Sequence, residues 1–343
     1  MSFVKLFYMI LLSIAFISCG ENAGDKIDFT LNTNATNNKI SIDNTLELSI
    51  TNPKSLKIDS IQYFIDNNST SENIKLTDLN LGERNISAKV YSEGKERLLK
   101  STITLLNSNP PKVYTYKILN EYPHDISSYT QGLEFYNGEL YESTGQYGES
   151  KLRKLDYKTG EVLKNNDLDR KYFGEGLTIF NNKIYQLTWQ NDMGFIYDID
   201  TFEKIDSFNY VKSEEGWGIC NDGTTLYKSD GTEKIWTLNS TTLEEENYIQ
   251  AFTNKGKVIG LNELEWIDGK IYANRYQKDG VAIINPKNGA IEGVIDFSPL
   301  KKKVKQHKNL DVLNGLAWNS KTKTLFVTGK RWNKLFEVEI IEK

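Results

Sequence analysis

A lone carboxylate set between two glycines, in Phe173-Gly174-Glu175-Gly176-Leu177, is the stretch of this chain best suited to proton chemistry. A glutamate just ahead of an apolar strand, with aromatic neighbours to strip it of water, has its pKa pushed up toward the range in which a general acid or base works. The flanking glycines leave room for the backbone of a ligand. Four other places echo this pattern: Gln131-Gly132-Leu133, Glu215-Gly216-Trp217, Asn262-Glu263-Leu264 and Asn314-Gly315-Leu316. Each opens an apolar run with a polar residue. Tyr129, Phe173, Trp189, Trp217 and Tyr276 lie close to these starts, and Lys330 ends Thr328-Gly329-Lys330. Brought together, these residues would make an aromatic pocket with a few converging polar groups, which is what a small-ligand site needs. Glu175 is expected to act in the chemistry. Glu215 and Asn314 are expected to serve as hydrogen-bonding structure, and part of the aromatic set as core.

Other chemistries find little support. The two histidines, His124 and His307, belong to no metal-ligand spacing and are expected at the surface or in turns. Oxygen ligands for a calcium ion in a central channel stay open as an expectation. No glycine-rich phosphate loop opens a helix, and no Gly-x-Ser-x-Gly elbow occurs. No metal and no cofactor is expected. Net charge is -4 with 26% charged residues and mixed signs, so nucleic acid is not an expected partner. Cys220, beside Trp217 and Ile219, reads as a buried structural thiol.

The elements that would position the polar starts follow from their spacing. Gln131, Glu175, Glu215, Asn262 and Asn314 stand 44, 40, 47 and 52 residues apart. Periods near forty with several short strands per unit mark a β-propeller, whose inner strands ring a central channel. Hairpin signals keep step with this frame, as at Asn137-Gly138 and Asp268-Gly269. The last unit is one strand short, and Val113-Tyr114-Thr115-Tyr116-Lys117-Ile118 precedes the first unit without a unit of its own. Pairing the two would close the ring and remove an edge. The expected fold is all-β: a five-bladed propeller over 113–343.

Upstream, residues 29–106 hold short alternating runs such as Leu46-Glu47-Leu48-Ser49-Ile50 between polar clusters. These predict a small immunoglobulin-like β-sandwich without paired cysteines, acting as a spacer or docking module. Residues 107–112, with Pro110-Pro111, form a linker. Residues 1–19 read as a lipoprotein signal: Lys5, the apolar run Leu6 to Ile17, then Ser18-Cys19-Gly20. Cys19 would be lipidated, 20–28 would be a tether, and a monomer would be anchored to a membrane at the cell envelope.

Tyr129-Thr130-Gln131-Gly132-Leu133, Phe173-Gly174-Glu175-Gly176-Leu177, Glu215-Gly216-Trp217-Gly218, Leu261-Asn262-Glu263-Leu264-Glu265, Leu313-Asn314-Gly315-Leu316-Ala317 and Val327-Thr328-Gly329-Lys330 resemble the glutamine cyclotransferases of plant and bacterial type, in order, over 113–343. The resemblance implies a five-bladed propeller, no metal, and conversion of the N-terminal glutamine of a peptide to pyroglutamate with release of ammonia. It implies that Glu175 is the acid/base. Gln131, Asn262 and Lys330 would be polar groups of the substrate site, and Tyr129, Phe173, Trp189 and Trp217 its aromatic lining. Tyr129 stands where the family has Phe, and Tyr276 where it has Trp, which bears on substrate preference or rate. Two other readings of the residues are an envelope propeller that binds a peptide or sugar without turnover, and a calcium-dependent propeller hydrolase.

Overall fold

The computed structural model describes residues 29–343, so the signal, tether and Cys19 lie outside the described residues. Among these, every element is a β-strand except one 3-10 turn at Leu300–Lys303. The N-terminal part holds two sheets. One orders Thr30–Thr33, Thr45–Thr51 and Asn73–Lys75; the other orders Lys39–Ser41, Lys95–Leu106, Gly82–Ser92, Ile58–Ile65 and Asn68–Thr70. Their strands alternate as the sequence does: Leu46 and Leu48 are buried while Thr45, Glu47 and Ser49 are exposed. The buried faces of both sheets share one core, with Leu46, Leu48, Leu76, Leu81, Ile86, Ile103 and Leu105 in it.

That core is completed from far along the chain. Phe252 and Ala290 pack into it. Gln250 lays its side chain across Gly82, where any Cβ would strike it, and its Oε1 accepts from Glu83 N at 3.0 Å. Leu81 N donates to Asn288 O at 2.9 Å. The N-terminal sheets and the rest of the chain are therefore packed together by buried contacts as well as joined through 107–111.

The remainder forms three four-stranded antiparallel sheets and one of eight strands. The first three begin with Thr130–Tyr136, Gly174–Phe180 and Ile219–Asn221. The eight-stranded sheet runs Leu261–Ile267, Lys270–Arg275, Gly280–Ile284, Ile291–Asp296, Lys112–Pro123, Lys334–Glu342, Thr324–Gly329 and Leu313–Asn319. Lys112–Pro123 is its joint. It pairs antiparallel with Lys334–Glu342, the closure expected from the orphan strand. It also pairs in parallel with Ile291–Asp296 through Lys112, Val113 and Tyr114, a fusion not foreseen from the sequence. Asn137-Gly138 and Asp268-Gly269 each hold two successive positive φ angles, the requirement of a tight hairpin turn.

The first strands, Thr130–Tyr136, Gly174–Phe180, Ile219–Asn221, Leu261–Ile267 and Leu313–Asn319, touch one another in cyclic order, the last against the first. Gly174–Phe180 is buried at every residue. A strand covered on both faces must find partners for its polar groups among its neighbours. Glu134 accepts from Thr178 Oγ1 at 2.7 Å and Ile179 N at 3.1 Å. Glu263 accepts from Leu316 N and Glu265 from Trp318 N, at 3.1 and 2.7 Å. Burial raises Glu134 to about 7 and lifts Glu263 and Glu265 well above the usual carboxylate range.

Two expectations fail here. The glycines around Glu175 do not make room for a ligand. A Cβ on Gly176 would stand 2.7 Å from Gly218 Cα and Trp217 O, and one on Gly174 2.7 Å from Thr144 O. They are glycine because neighbouring backbones come that close. His124 is not a surface histidine. It is buried, with Nδ1 against Trp332 O at 2.9 Å and Nε2 against Glu142 Oε1 at 3.1 Å. Burial alone would lower its pKa, but the Glu142 carboxylate turns the net shift upward. His307 is partly buried, its Nε2 2.9 Å from Arg331 O. Cys220 is a free, buried cysteine.

Candidate active site

Four first strands carry a β-bulge at the same place: between Thr130 and Gly132, Gly174 and Leu177, Leu261 and Leu264, and Leu313 and Leu316. A bulge takes a residue out of the ladder and re-aims its side chain. The residues released are Gln131, Glu175, Asn262 and Asn314, each the second of its strand and buried. The third sheet departs from this frame. Its first ladder pair is Ile219 with Lys228, so the residue two ahead of that aliphatic position is Trp217. Glu215 lies two residues earlier, outside the strand. The two-residue slip arose because Glu215-Gly216-Trp217 and Glu175-Gly176-Leu177 share a Glu-Gly pair.

Three of the four released residues reach a cavity of ≈ 390 Å³. Gln131, Glu175 and Asn262 lie in it together with Lys330, and its walls are Tyr129, Phe173, Trp189, Trp217 and Tyr276. All nine site residues expected from the sequence thus face one space. Gln146 and Tyr147 line it as well and were missed. They belong to no strand start; their only sequence signal is an aromatic flanked by glycines in Gly145-Gln146-Tyr147-Gly148. Asn314 stands behind the lining. Its Nδ2 donates to Gln131 Oε1 at 3.2 Å and to Thr130 O at 3.0 Å.

The polar residues are ordered by this relay. With Gln131 Oε1 taken by Asn314, its Nε2 donates to Glu175 Oε1 at 2.8 Å. Glu175 Oε2 is buried without a partner, and so is Asn262 Oδ1. An unpaired buried acceptor costs about 1–3 kcal/mol. Both belong to residues that line the cavity. Burial drives the Glu175 carboxyl well above the usual range; the charge of Lys330 pulls it down and that of Glu215 adds to the rise. Lys330 is itself 2% exposed, and burial lowers its pKa against the pull of Glu175 and Asp311. Its ammonium rests over the rings of Tyr129 at 4.7 Å and Tyr276 at 5.5 Å.

The walls are braced from outside the cavity. Phe173 meets Tyr129, Tyr147 and Trp189 edge to face, with centroids 6.1, 5.5 and 5.5 Å apart. Trp217 does the same with Tyr276 at 5.4 Å. Glu215, which does not line the cavity, accepts both indole N–H groups on Oε2, from Trp189 at 2.8 Å and Trp217 at 2.6 Å. Its backbone carbonyl accepts from Lys228 Nζ at 2.9 Å, and Lys228 is buried in an ion pair with Glu245 at 3.0 Å. Asp311 accepts the Tyr129 hydroxyl at 2.9 Å, so the atom by which Tyr129 differs from a phenylalanine is engaged.

A sequence model of the glutamine cyclotransferase family matches residues 96–340. A glutaminyl-peptide cyclotransferase of Arabidopsis thaliana is 38% identical over 232 residues, which is 67% of this chain and 72% of that protein. The crystal structure of Myxococcus xanthus glutaminyl cyclase aligns with a TM-score of 0.63 at 32% identity, covering 68% of this chain and 99% of that one.

Proposed function

The chain belongs to the glutamine cyclotransferase family, and we propose from this that its cavity folds the N-terminal glutamine of a peptide or protein back on itself, closing it to pyroglutamate with loss of ammonia. The observation that carries the reading is the pair of buried acceptors without partners, Glu175 Oε2 and Asn262 Oδ1. An N-terminal glutamine brings the matching donors, an amine and a carboxamide NH2.

Nucleophile and electrophile are already in one molecule, so the first task is to hold a curled conformer. The aromatic walls do that and keep out water, which would otherwise compete as nucleophile. As the α-amine nitrogen bonds to the δ-carbon, Glu175 takes one of its protons. It then delivers that proton to the carboxamide nitrogen, the carbon–nitrogen bond breaks, and ammonia leaves with Glu175 ionised again. The carboxamide oxygen gains negative charge in between. Lys330 is the donor for it, and Gln131 keeps Glu175 aimed.

The test is Glu175→Gln in the full chain. Wild type should release ammonia from a Gln-initiated peptide; the variant should lose about 10²–10⁴-fold in kcat and still bind the peptide. A wild type that binds without forming pyroglutamate would transfer the site to a non-catalytic binder.

The cyclic contact of the first strands supports a five-bladed propeller over 113–343, with the eight-stranded sheet as two blades fused through Lys112–Pro123. The shared core of the two N-terminal sheets supports an immunoglobulin-like sandwich over 29–106. The monomeric state is proposed from the sequence reading; light scattering after size exclusion tests it. Lipidation at Cys19 and a place at the cell envelope rest on the sequence of 1–19; metabolic labelling with palmitate in wild type and Cys19→Ala tests both.

A further inference from the structure

The connection 297–312, between Ile291–Asp296 and Leu313–Asn319, is the longest that leads into a first strand; 124–129, 168–173, 210–218 and 251–260 are the corresponding ones. It carries Lys301, Lys302, Lys303, Lys305 and Lys308 within eight residues, in a chain whose net charge is -4. Lys302, Lys303, Lys305 and Lys308 are exposed. Among the described residues none of the five lysines makes an ion pair.

The segment is held rather than free to spread its charges. Phe297, Leu300 and Val304 are buried in the core beneath it. Lys305 N donates to Asn333 Oδ1 at 2.7 Å, and Gln306 Nε2 to the carbonyls of Lys301 and Val304 at 2.8 Å each. Like charges gathered on one stretch repel, and no carboxylate of the described residues lies within 4 Å of these ammonium groups. Such a stretch suits a partner of opposite charge.

The run ends against the backbone of Arg331, one residue past the cavity-lining Lys330. His307 Nε2 lies 2.9 Å from Arg331 O, and Arg331 follows Lys330 in the chain with its guanidinium 5.7 Å over the Tyr129 ring. A peptide whose first residue fills the cavity must leave by the mouth, where Tyr147 is 52% and Tyr276 38% exposed. An extended chain advances about 3.3 Å per residue, so its residues three to six lie about 7–17 Å beyond the first, over the rim. We propose that the lysine run 301–308 is an extended subsite that favours peptides with acidic residues a few positions after the N-terminal glutamine. This rests on the cyclotransferase reading of the cavity. An anionic lipid surface has the same charge, but a bilayer lying on these lysines would cover the mouth through which such peptides enter.

The experiment compares Gln-initiated hexapeptides with glutamate, alanine or lysine at positions three to six, in low salt and with added sodium chloride. Wild type should turn over the acidic peptide about 10-fold better in kcat/KM than the basic one, with the gap shrinking as salt rises. A triple variant, Lys302→Glu with Lys305→Glu and Lys308→Glu, should reverse the preference and leave glutamine amide, too short to reach the rim, unaffected. Equal kcat/KM for the acidic and basic peptides at low salt overturns the proposal, as does a triple variant that keeps the wild-type order. Sedimentation with phosphatidylglycerol vesicles through these lysines, alongside a flat peptide series, assigns the run to a membrane and overturns it too. If no peptide yields ammonia, the cyclotransferase reading has failed. Fluorescence anisotropy of the labelled acidic peptide against wild type and triple variant then decides the subsite alone.

Discussion

Thr45–Thr51 in the N-terminal sheets and Gly174–Phe180 beside the cavity are both seven-residue strands, yet they are built on opposite terms. The first alternates: Leu46 and Leu48 go into a core and the residues between them go to water. Its polar side chains are therefore cheap, because solvent serves them. The second is buried throughout, so each polar atom in it needs a partner from the protein or stands unpaired at a cost. Most are served, as Thr178 is by Glu134 and Asn221. Glu175 Oε2 is not. The comparison teaches where the proposed chemistry can be kept: in a strand buried on both faces an acceptor can stand unpaired beside a cavity, whereas in an alternating strand it would merely be hydrated.

Changes that separate the two kinds of strand should sharpen this contrast. The largest effect is expected at Glu175. Its carboxylate must be ionised to take the amine proton, and burial holds its pKa well above the usual range. In a pH profile of kcat, activity should therefore fall on the acid side at a pH above that of an ordinary glutamate, and Glu175→Gln should leave no such limb to measure. A limb at the ordinary carboxylate pH would break the link between burial and reactivity. Leu46→Ala should do the reverse. It should cost about 2–5 kcal/mol in unfolding while kcat/KM per folded molecule stays within twofold of wild type, as denaturant melts and an active-site-normalised assay would report.

Glu215 comes next. It touches no substrate in the proposed reaction, but it alone receives both indole N–H groups. Glu215→Ala should let Trp189 and Trp217 move and cost about 10-fold in kcat/KM, mostly in KM, with a changed tryptophan emission maximum. Glu215→Gln retains an oxygen for the indoles and should restore KM and emission. It removes a charge that raises Glu175, so the acid limb should move to lower pH. Equal KM losses in both variants would show that charge, not indole placement, is what Glu215 supplies. Tyr129→Phe should have the smallest effect. Losing the bond to Asp311 is worth about 1 kcal/mol, read as a few-fold rise in KM with kcat nearly unchanged.

The legible part of the site was the part carried by strand starts. Gln131, Glu175, Asn262 and Asn314 could be aligned because each is followed two residues on by a buried leucine. The third unit misled because Glu215 mimics Glu175 locally, and only the pairing of Ile219 with Lys228 shows Trp217 in the equivalent place. Gln146 and Tyr147 sit in a turn between strands, where no periodicity marks a residue. Asp311 and Tyr129 are 182 residues apart, as a hydrogen bond between them records and a sequence cannot. His124 looked like a turn residue because its partner Glu142 lies 18 residues on, in the strand Glu139–Thr144.

The amino-acid order alone determined the all-β character, the forty-residue rhythm of polar starts and the orphan strand that had to pair with the last unit, since these follow from local alternation, turn residues and counting. Tertiary structure decided which starts face the cavity, why the glycines are glycine, which lysines lie without an ion pair and which acceptors are buried. Those depend on distances between segments far apart in sequence, and burial, not residue type, sets whether a carboxylate is a surface charge or a base.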